Sequence, residues 1–409
     1  PVEADAATSP MRPIVLCRRR NNASLARSVA PGLGEIGVFL PYSPLHQLLL
    51  DAVGGPVVAT SGNISGEPVL TDNDEATTRL AFVADAFLQH DRPIVRPADD
   101  PVYRRIAGAA RPLRIGRGCA PRELELPWRQ REPLLAVGGH MKGTVALSFD
   151  KRVIVSPHIG EMDSPRSLDV FERVARDLQA LYGVIATRIA CDAHPGYTTH
   201  RWAERQGLPL ETVWHHEAHA SAVAAEYAGD GDWLLFAWDG VGLGSDGTLW
   251  GGEALVGRPG AWQRCASLRP FRLPGGDKAG REPWRSAAAL IWATGASNGE
   301  EIVSAGLKPG ELQLAHQAWL HDLNTFETSA AGRLFDAAAA LVTGRSMASF
   351  EGQGPMELEQ IAAPGCAAIE LPLEEDGQGV LRSDWAALLP TLLDEQLGTA
   401  DRAGIFHET

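Results

Sequence analysis

No run of about 18 uninterrupted apolar residues occurs in the chain, and the longest apolar stretches are broken by Arg, Asp or Gly, so no membrane-crossing helix is expected. Cysteine is scarce. The five residues, at 17, 119, 191, 265 and 366, include no CxxC pair, which speaks against a disulfide framework and suits reduced structural thiols in a cytoplasmic protein. Basic charge is in deficit, with 37 Lys and Arg against 51 Asp and Glu and a formal charge of −14. Nonspecific nucleic-acid binding, which needs a basic surface, is therefore not the expected task. An initiator Met and a secretory pattern are both lacking at Pro1, and Glu408-Thr409 falls in what reads as a helix beginning; the sequence is expected to be cut at both ends.

What is present is ordinary for a globular α/β protein: 44% apolar and 22% charged residues over a length that predicts two or three domains. In residues 12–122, strands are expected at 14–16, 37–40 and 56–60 and helices at 45–51 and 74–89. The polar, Pro-containing stretch 121–133 reads as a linker. Residues 134–160 read as a β-meander, followed by a helix at 167–181 and a strand at 184–191 ending in Asp192. Helices are expected at 287–293, 311–323 and 331–342.

The densest chemistry lies in residues 213–255. His215 and His219 are four apart in a helical run, so both rings lie on one helix face and can converge on a metal ion. An apolar strand at 233–238 follows and ends in Asp239, a candidate third ligand, since His and carboxylate together suit Zn, Fe or Mn. The metalloprotease pattern needs Glu directly after the first His; here His216 stands there. In the run 239–247, Gly240, Gly242 and Gly244 let backbone approach a phosphate, with Asp246 beside them; a plain hairpin turn is the other reading.

Weaker candidates lie elsewhere. Gly138 and Gly139, with Lys142 nearby, form either a phosphate loop or the tip of the meander. Gly352 and Glu357 sit at a helix start, where an acidic residue also serves simply to offset the helix dipole. Arg333 and Asp336, three apart, read as a surface ion pair. In the first module, Ser61, Asn63, Arg114 and Arg117 lie in three polar loops and carry donors suited to a nucleotide phosphate and sugar.

Taken in order, these segments resemble the HypF family of hydrogenase-maturation carbamoyltransferases. GVFLPYSPLHQLLL, TSGNISGEP, HDRPIV followed by RPADDPV, and RGCAPRELELP are similar to its YrdC-like domain. AVGGHMKGTVAL, SPHIGEMDS, ACDAHPGYTTHRWA, WHHEAHASA, DGVGLGSDGTLWGGE, LPGGDKAGREPWR, GRLFDAAAAL and SFEGQGPMELE are similar to its carbamoyl-transfer domain. The resemblance implies a partial YrdC-like domain at 1–122, a linker at 123–132, and a two-lobed sugar-kinase/actin-like domain at 133–409. It further implies that carbamoyl-adenylate forms from carbamoyl phosphate and ATP. The carbamoyl group then passes to the C-terminal cysteine thiol of a partner maturation protein. His215, His219 and Asp239 would hold iron or zinc, with magnesium a further candidate, and neither nucleic acid nor membrane is an implied partner.

Glu217 stands where the family usually carries a third histidine, and Cys119 where it usually carries Tyr. The family's acylphosphatase domain, its CxxC zinc modules, the first part of its YrdC-like domain and its late Asp-Gly-Gly motif are not in this sequence. Rival readings are an O-carbamoyltransferase acting on a small-molecule hydroxyl and a non-catalytic fragment that binds the partner. A tRNA-modifying role is disfavoured by the lack of a basic stripe.

Overall fold

The computed structural model describes every residue except Asn21, Ser24, Arg27, Ala228, Asp230 and Ser297. The chain is α/β throughout and divides into two compact units, Pro1–Val213 and Trp214–Thr409. Among the described residues, no helix is long and apolar enough to cross a membrane.

The first unit begins with α1 (Val2–Thr8), β1 (Ile14–Arg18), β2 (Glu35–Val38), α2 (Pro44–Val53), α3 (Asn73–Leu80), β3 (Val102–Ile106) and β4 (Ala109–Arg114). The strands form a sheet in the order β2-β1-β3-β4. Helix α2 has clear boundaries: Ser43 accepts from the N–H of His46, Pro44 presets the first turn, and Gly54 at φ 74° ends it. Two expectations fail here. Residues 56–60 form no strand, because Pro56 offers no N–H and nothing pairs with the segment. The helix expected over 74–89 ends at Leu80. Residues 86–90 fold back on it, with Gln89 Nε2 donating to Asn73 O (2.8 Å) and Asn73 Nδ2 to His90 O (2.9 Å).

The same unit continues with β5 (Arg122–Glu125), β6 (Leu134–Ala136), β7 (Ala146–Phe149), β8 (Arg152–Val155), α4 (Pro165–Tyr182), β9 (Arg188–Asp192), α5 (Thr198–Glu204) and β10 (Leu210–Val213). Their sheet runs β10-β9-β6-β7-β8-β5, and β6-β7-β8 is the expected meander. The linker reading gives way at residues 122–125, which pair antiparallel with β8. Strand β9 starts later than expected, because Gln179 ties down Val184 and Ala186 at the end of α4. Ser164 caps α4, whose Val170, Phe171, Ala175 and Leu178 join Leu135, Leu147 and Ile154 in one core. Each large side chain among them contributes about 1.5–3 kcal/mol by burial.

The second unit holds α6 (His215–Glu226), β11 (Trp233–Leu243), β12 (Leu249–Arg258), β13 (Ala261–Leu268), β14 (Phe271–Pro274), α7 (Pro283–Thr294), α8 (Gly299–Ser304), α9 (Glu311–Leu320), β15 (Thr325–Thr328), α10 (Ala331–Thr343), α11 (Gln353–Ile361), β16 (Leu373–Glu375), β17 (Leu381–Ser383), α12 (Leu389–Leu392) and α13 (Thr399–Glu408). Its sheet runs β14-β15-β12-β13-β17-β16, with β11 also on β12. Runs of small residues let α7 and α10 pack closely: Ala287–Ala289 and Ala337–Ala340 are buried in the unit's core. The five cysteines are free thiols. Burial, followed by Asp192 and Glu204, pushes the Cys191 thiol up to about 11, which keeps it an inert packing residue.

Candidate metal centre

Strand β11 does not end at Asp239 as its apolar run suggests. It pairs with β12 at Trp238↔Gly252 and resumes at Gly242↔Trp250, so residues 239–241 stand opposite Gly251 alone. Such a bulge turns a side chain out of the ladder. Here it is Asp239. Gly251 is needed opposite: at φ 155°, a Cβ on it would lie 2.7 Å from the Asp239 carbonyl oxygen.

Helix α6 brings its histidines to this carboxylate. Asp239 Oδ2 lies 3.1 Å from His215 Nε2 and 3.9 Å from His219 Nε2, and the two ring nitrogens are 3.2 Å apart. All three donor atoms fall within 4.8 Å of one another. A zinc ion with bonds of about 2.0–2.1 Å in tetrahedral geometry needs ligand atoms roughly 3.3 Å apart. The 3.1 and 3.2 Å spacings match and the 3.9 Å one is longer, so a small shift of His219 would close the set; Asp239 Oδ2 is buried without a partner in hydrogen-bonding geometry among the described residues. The residues therefore fit a divalent metal. Burial would push the Asp239 carboxyl up, but His215, His216 and the Gly240 N–H (2.6 Å) outweigh it and hold the carboxyl well below the usual carboxylate range.

Gly242 allows the helix to come this close. A Cβ there would stand 2.6 Å from both His215 Cδ2 and His216 Cε1. Gly242→Ala is expected to cost about 1–3 kcal/mol of stability by overpacking and to weaken metal retention. Thermal unfolding and metal content of the dialysed variant test both effects.

The other glycines in this run form the hairpin of the plainer reading. Gly244 N–H donates to Thr248 O and Gly247 N–H to Gly244 O. A Cβ on Gly244 would strike the Trp250 indole at 2.1 Å. Gly240 lies under the start of α10, where a Cβ on Gly332 would meet its Cα at 2.8 Å. Asp246 is engaged within the turn: Oδ1 accepts from Thr248 N, Thr248 Oγ1 and Trp250 Nε1, and Oδ2 pairs with Arg264 (3.0 Å). Glu217 points into a cleft of about 170 Å³ lined by Asp246, Trp250, Trp262 and Arg264, and burial pushes its carboxyl up.

In α11, Gly352 adopts φ 73° before the first turn, while Glu357 pairs with Arg345 and accepts from Gln353 Nε2 (3.1 Å). The Arg333–Asp336 pair (2.9 Å) is not on the surface as expected: Asp336 is buried and Arg333 half-buried, because α10 runs along the core. Burial pushes the Asp336 carboxyl up to about 6, with Arg333 opposing and Glu351 adding.

The first unit holds the remaining candidates. The Thr199 hydroxyl donates to the carbonyls of Gly138 (3.2 Å) and Gly139 (3.3 Å), and Gly138 and Lys142 take left-handed backbone at φ 64° and 51°. Ser61 is exposed, and Asn63 Nδ2 donates to Ile64 O and Glu67 O within its own loop. Arg114 Nε donates to Asp100 O (3.0 Å). Arg117 is committed to the fold: it donates to Met11 O and Arg12 O, pairs with Asp100, and lies 3.2 Å from the centroid of the Tyr42 ring.

Sequence reasoning missed two features here. His216 lies one residue from a ligand candidate, hence on another helix face, yet its Nε2 comes within 3.6 Å of Asp239 Oδ2. Buried Glu253, paired with Arg264, holds the strand beside the centre. The adjacent histidine was the only signal for the first, and the second had none.

Comparison with known proteins places these features in a family. Residues 1–116 match the family described as Telomere recombination, which groups Sua5, YciO and YrdC. Residues 129–226 match the HypF Kae1-like domain, and 235–409 match Carbamoyltransferase, Kae1-like Domain, second subdomain. Carbamoyltransferase HypF of Synechocystis sp. is 39% identical over 414 residues, covering 96% of this chain and 54% of the relative. The carbamoyltransferase HypF homolog of Cupriavidus necator is 35% identical over 290 residues, covering 67% of this chain and 73% of the relative. A crystal structure of full-length HypF in the phosphate- and nucleotide-bound form aligns at a TM-score of 0.93 and 33% identity, covering 100% of this chain and 54% of that one. T. kodakarensis HypF aligns at 0.91 and 30% identity, covering 100% and 55%. The chain spans about half the length of these full-length relatives. With matching families along nearly its whole length and this degree of identity, the chain belongs to the HypF carbamoyltransferase family.

Proposed function

We propose that this chain carries the ATP-dependent carbamoyl transfer of hydrogenase maturation, with His215, His219 and Asp239 holding an iron or zinc ion. The convergence of those three donor atoms within 4.8 Å is the observation that carries the reading. A relative crystallised with phosphate and nucleotide supports the substrate class. On this reading, residues 1–122 form the YrdC-like part, which makes carbamoyl-adenylate from ATP, carbamoyl phosphate and water with release of phosphate and pyrophosphate, and residues 133–409 form the transfer part. Ser61, Asn63 and Arg114 serve the nucleotide of the first part, while Arg117 ties its own loop to Met11, Arg12 and Asp100. The Gly138-Gly139 turn and Lys142 are the phosphate-facing groups of the second.

Such an ion supplies Lewis acidity toward a phosphate or carbamoyl oxygen. The protein's own part is to keep Asp239 ionised and to hold His215 in register through the close approach of its helix at Gly242. The acceptor is the C-terminal cysteine thiol of a partner maturation protein. The thiol loses its proton, its sulfur attacks the carbamoyl carbon, and the bond from that carbon to the AMP oxygen breaks.

The test incubates the chain with ATP, carbamoyl phosphate and a peptide ending in cysteine. Carbamoyl-phosphate-dependent release of pyrophosphate and a thiocarbamate on the peptide are expected. Bound nucleotide and metal without pyrophosphate release would favour a partner-binding role instead. Carbamoylation of a small hydroxyl but not of the thiol would favour O-carbamoyl transfer.

A further inference from the structure

His216 has 0% exposure, and neither of its ring nitrogens has a hydrogen-bond partner among the described residues. A buried imidazole with both nitrogens unpaired forfeits the hydration of each, and such a group calls for an explanation. Its Nε2 faces Asp239 Oδ2 at 3.6 Å, and that oxygen is itself buried without a hydrogen-bond partner. Two orphaned polar atoms thus face each other across a gap slightly too long for a hydrogen bond.

His216 is not a ligand of equal standing. The mutually close donor set comprises His215, His219 and Asp239, and His216 lies outside it. Its ring is tilted at 39° to the Trp250 ring, with centroids 6.2 Å apart. A histidine that gives its Nε2 lone pair to a cation carries no hydrogen on that nitrogen, so it cannot also donate to Asp239. With His215 and His219 in that role, the remaining donor within reach of Asp239 Oδ2 is His216 Nε2.

We infer that His216 is a positioning residue for the metal centre, holding Asp239 through an Nε2–H donated to its Oδ2 while His215 and His219 face the ion. The inference rests on the metal reading proposed above. A hydrogen bond that orients a metal-binding carboxylate is the kind of outer contact whose loss lowers metal affinity about 10–100-fold.

The test measures Co²⁺ affinity and the visible spectrum of the cobalt-loaded protein for the wild type and for His216→Leu, His216→Gln and His216→Asn. Glutamine carries an N–H near the Nε2 position, whereas asparagine is too short to reach Asp239. Leucine and asparagine are expected to weaken Co²⁺ binding about 10–100-fold and to change its spectrum, while glutamine stays within a few-fold of wild type. The unfolding midpoint of each metal-free variant is read alongside; if His216→Leu fails to fold, the glutamine–asparagine contrast decides. Equal weakening by glutamine and asparagine, or by neither, overturns the positioning role while leaving the metal reading intact. A wild-type chain that binds no Co²⁺ overturns both.

Discussion

On the proposed metal reading, His219→Ala should abolish metal binding and carbamoyl transfer while leaving the fold intact. The two effects separate because of where His219 sits. Its side chain is 55% exposed on α6, so its removal opens no cavity in the core. Alanine is also the better helix former, which offsets part of any lost contact. The metal site, by contrast, loses one of three donors and its 3.2 Å pairing with His215. Removing a direct ligand should exceed the roughly 10–100-fold penalty typical of outer contacts, so dialysed protein is expected to retain essentially no iron or zinc. Metal analysis together with thermal unfolding checks this. Full metal content in a folded variant would leave the proposed chemistry without a centre.

The pair was legible because spacing alone constrains it. Four residues along a helix is a rigid relation, and the Ala-rich run 215–226 leaves little doubt about the helix. Asp239 was found for a partly mistaken reason. Its side chain reaches the histidines because three residues bulge opposite Gly251, not because the strand stops. A bulge depends on which strand pairs alongside and in what register, and residue periodicity is blind to that. The glycines hide a second demand in the same way. Gly242 and Gly244 look like a phosphate cradle in one dimension, and in three they also leave the space that His215, His216 and Trp250 occupy. The linker at 121–133 failed because its polar composition does not reveal β8 waiting to pair with residues 122–125. Arg117 has the chemistry of a phosphate ligand, yet two of its contacts lie more than a hundred residues away, at Met11 and Arg12.

Glu253 shows most sharply what the sequence withheld, and it carries the second large prediction. Between Gly252 and Ala254 it reads as one polar residue in an apolar strand, yet it is 1% exposed. Oε2 accepts from Arg264 Nε (2.6 Å), and Oε1 accepts from the Gly251 and Gly252 N–H groups and the Ser329 hydroxyl. Arg264 in turn donates to Asp246 and Ser329 and lies over the Trp250 ring at 4.2 Å. Glu253→Ala would leave that guanidinium in a low-dielectric site without its main counter-charge, a change that typically costs about 3–5 kcal/mol. Glu211→Ala is the natural control. Its partner is also an arginine, at 3.0 Å, but the side chains are 46% and 54% exposed, and such pairs contribute about 0–1 kcal/mol. Urea unfolding of the two variants should therefore separate them by several-fold in free energy at unchanged slope. Trp250 lies beside the buried His216 ring and donates to Asp246, so the weakened Glu253 variant should also hold cobalt less tightly than the control. Equal, small effects from both substitutions would mean that water enters around Arg264 and that this network does not brace the metal site.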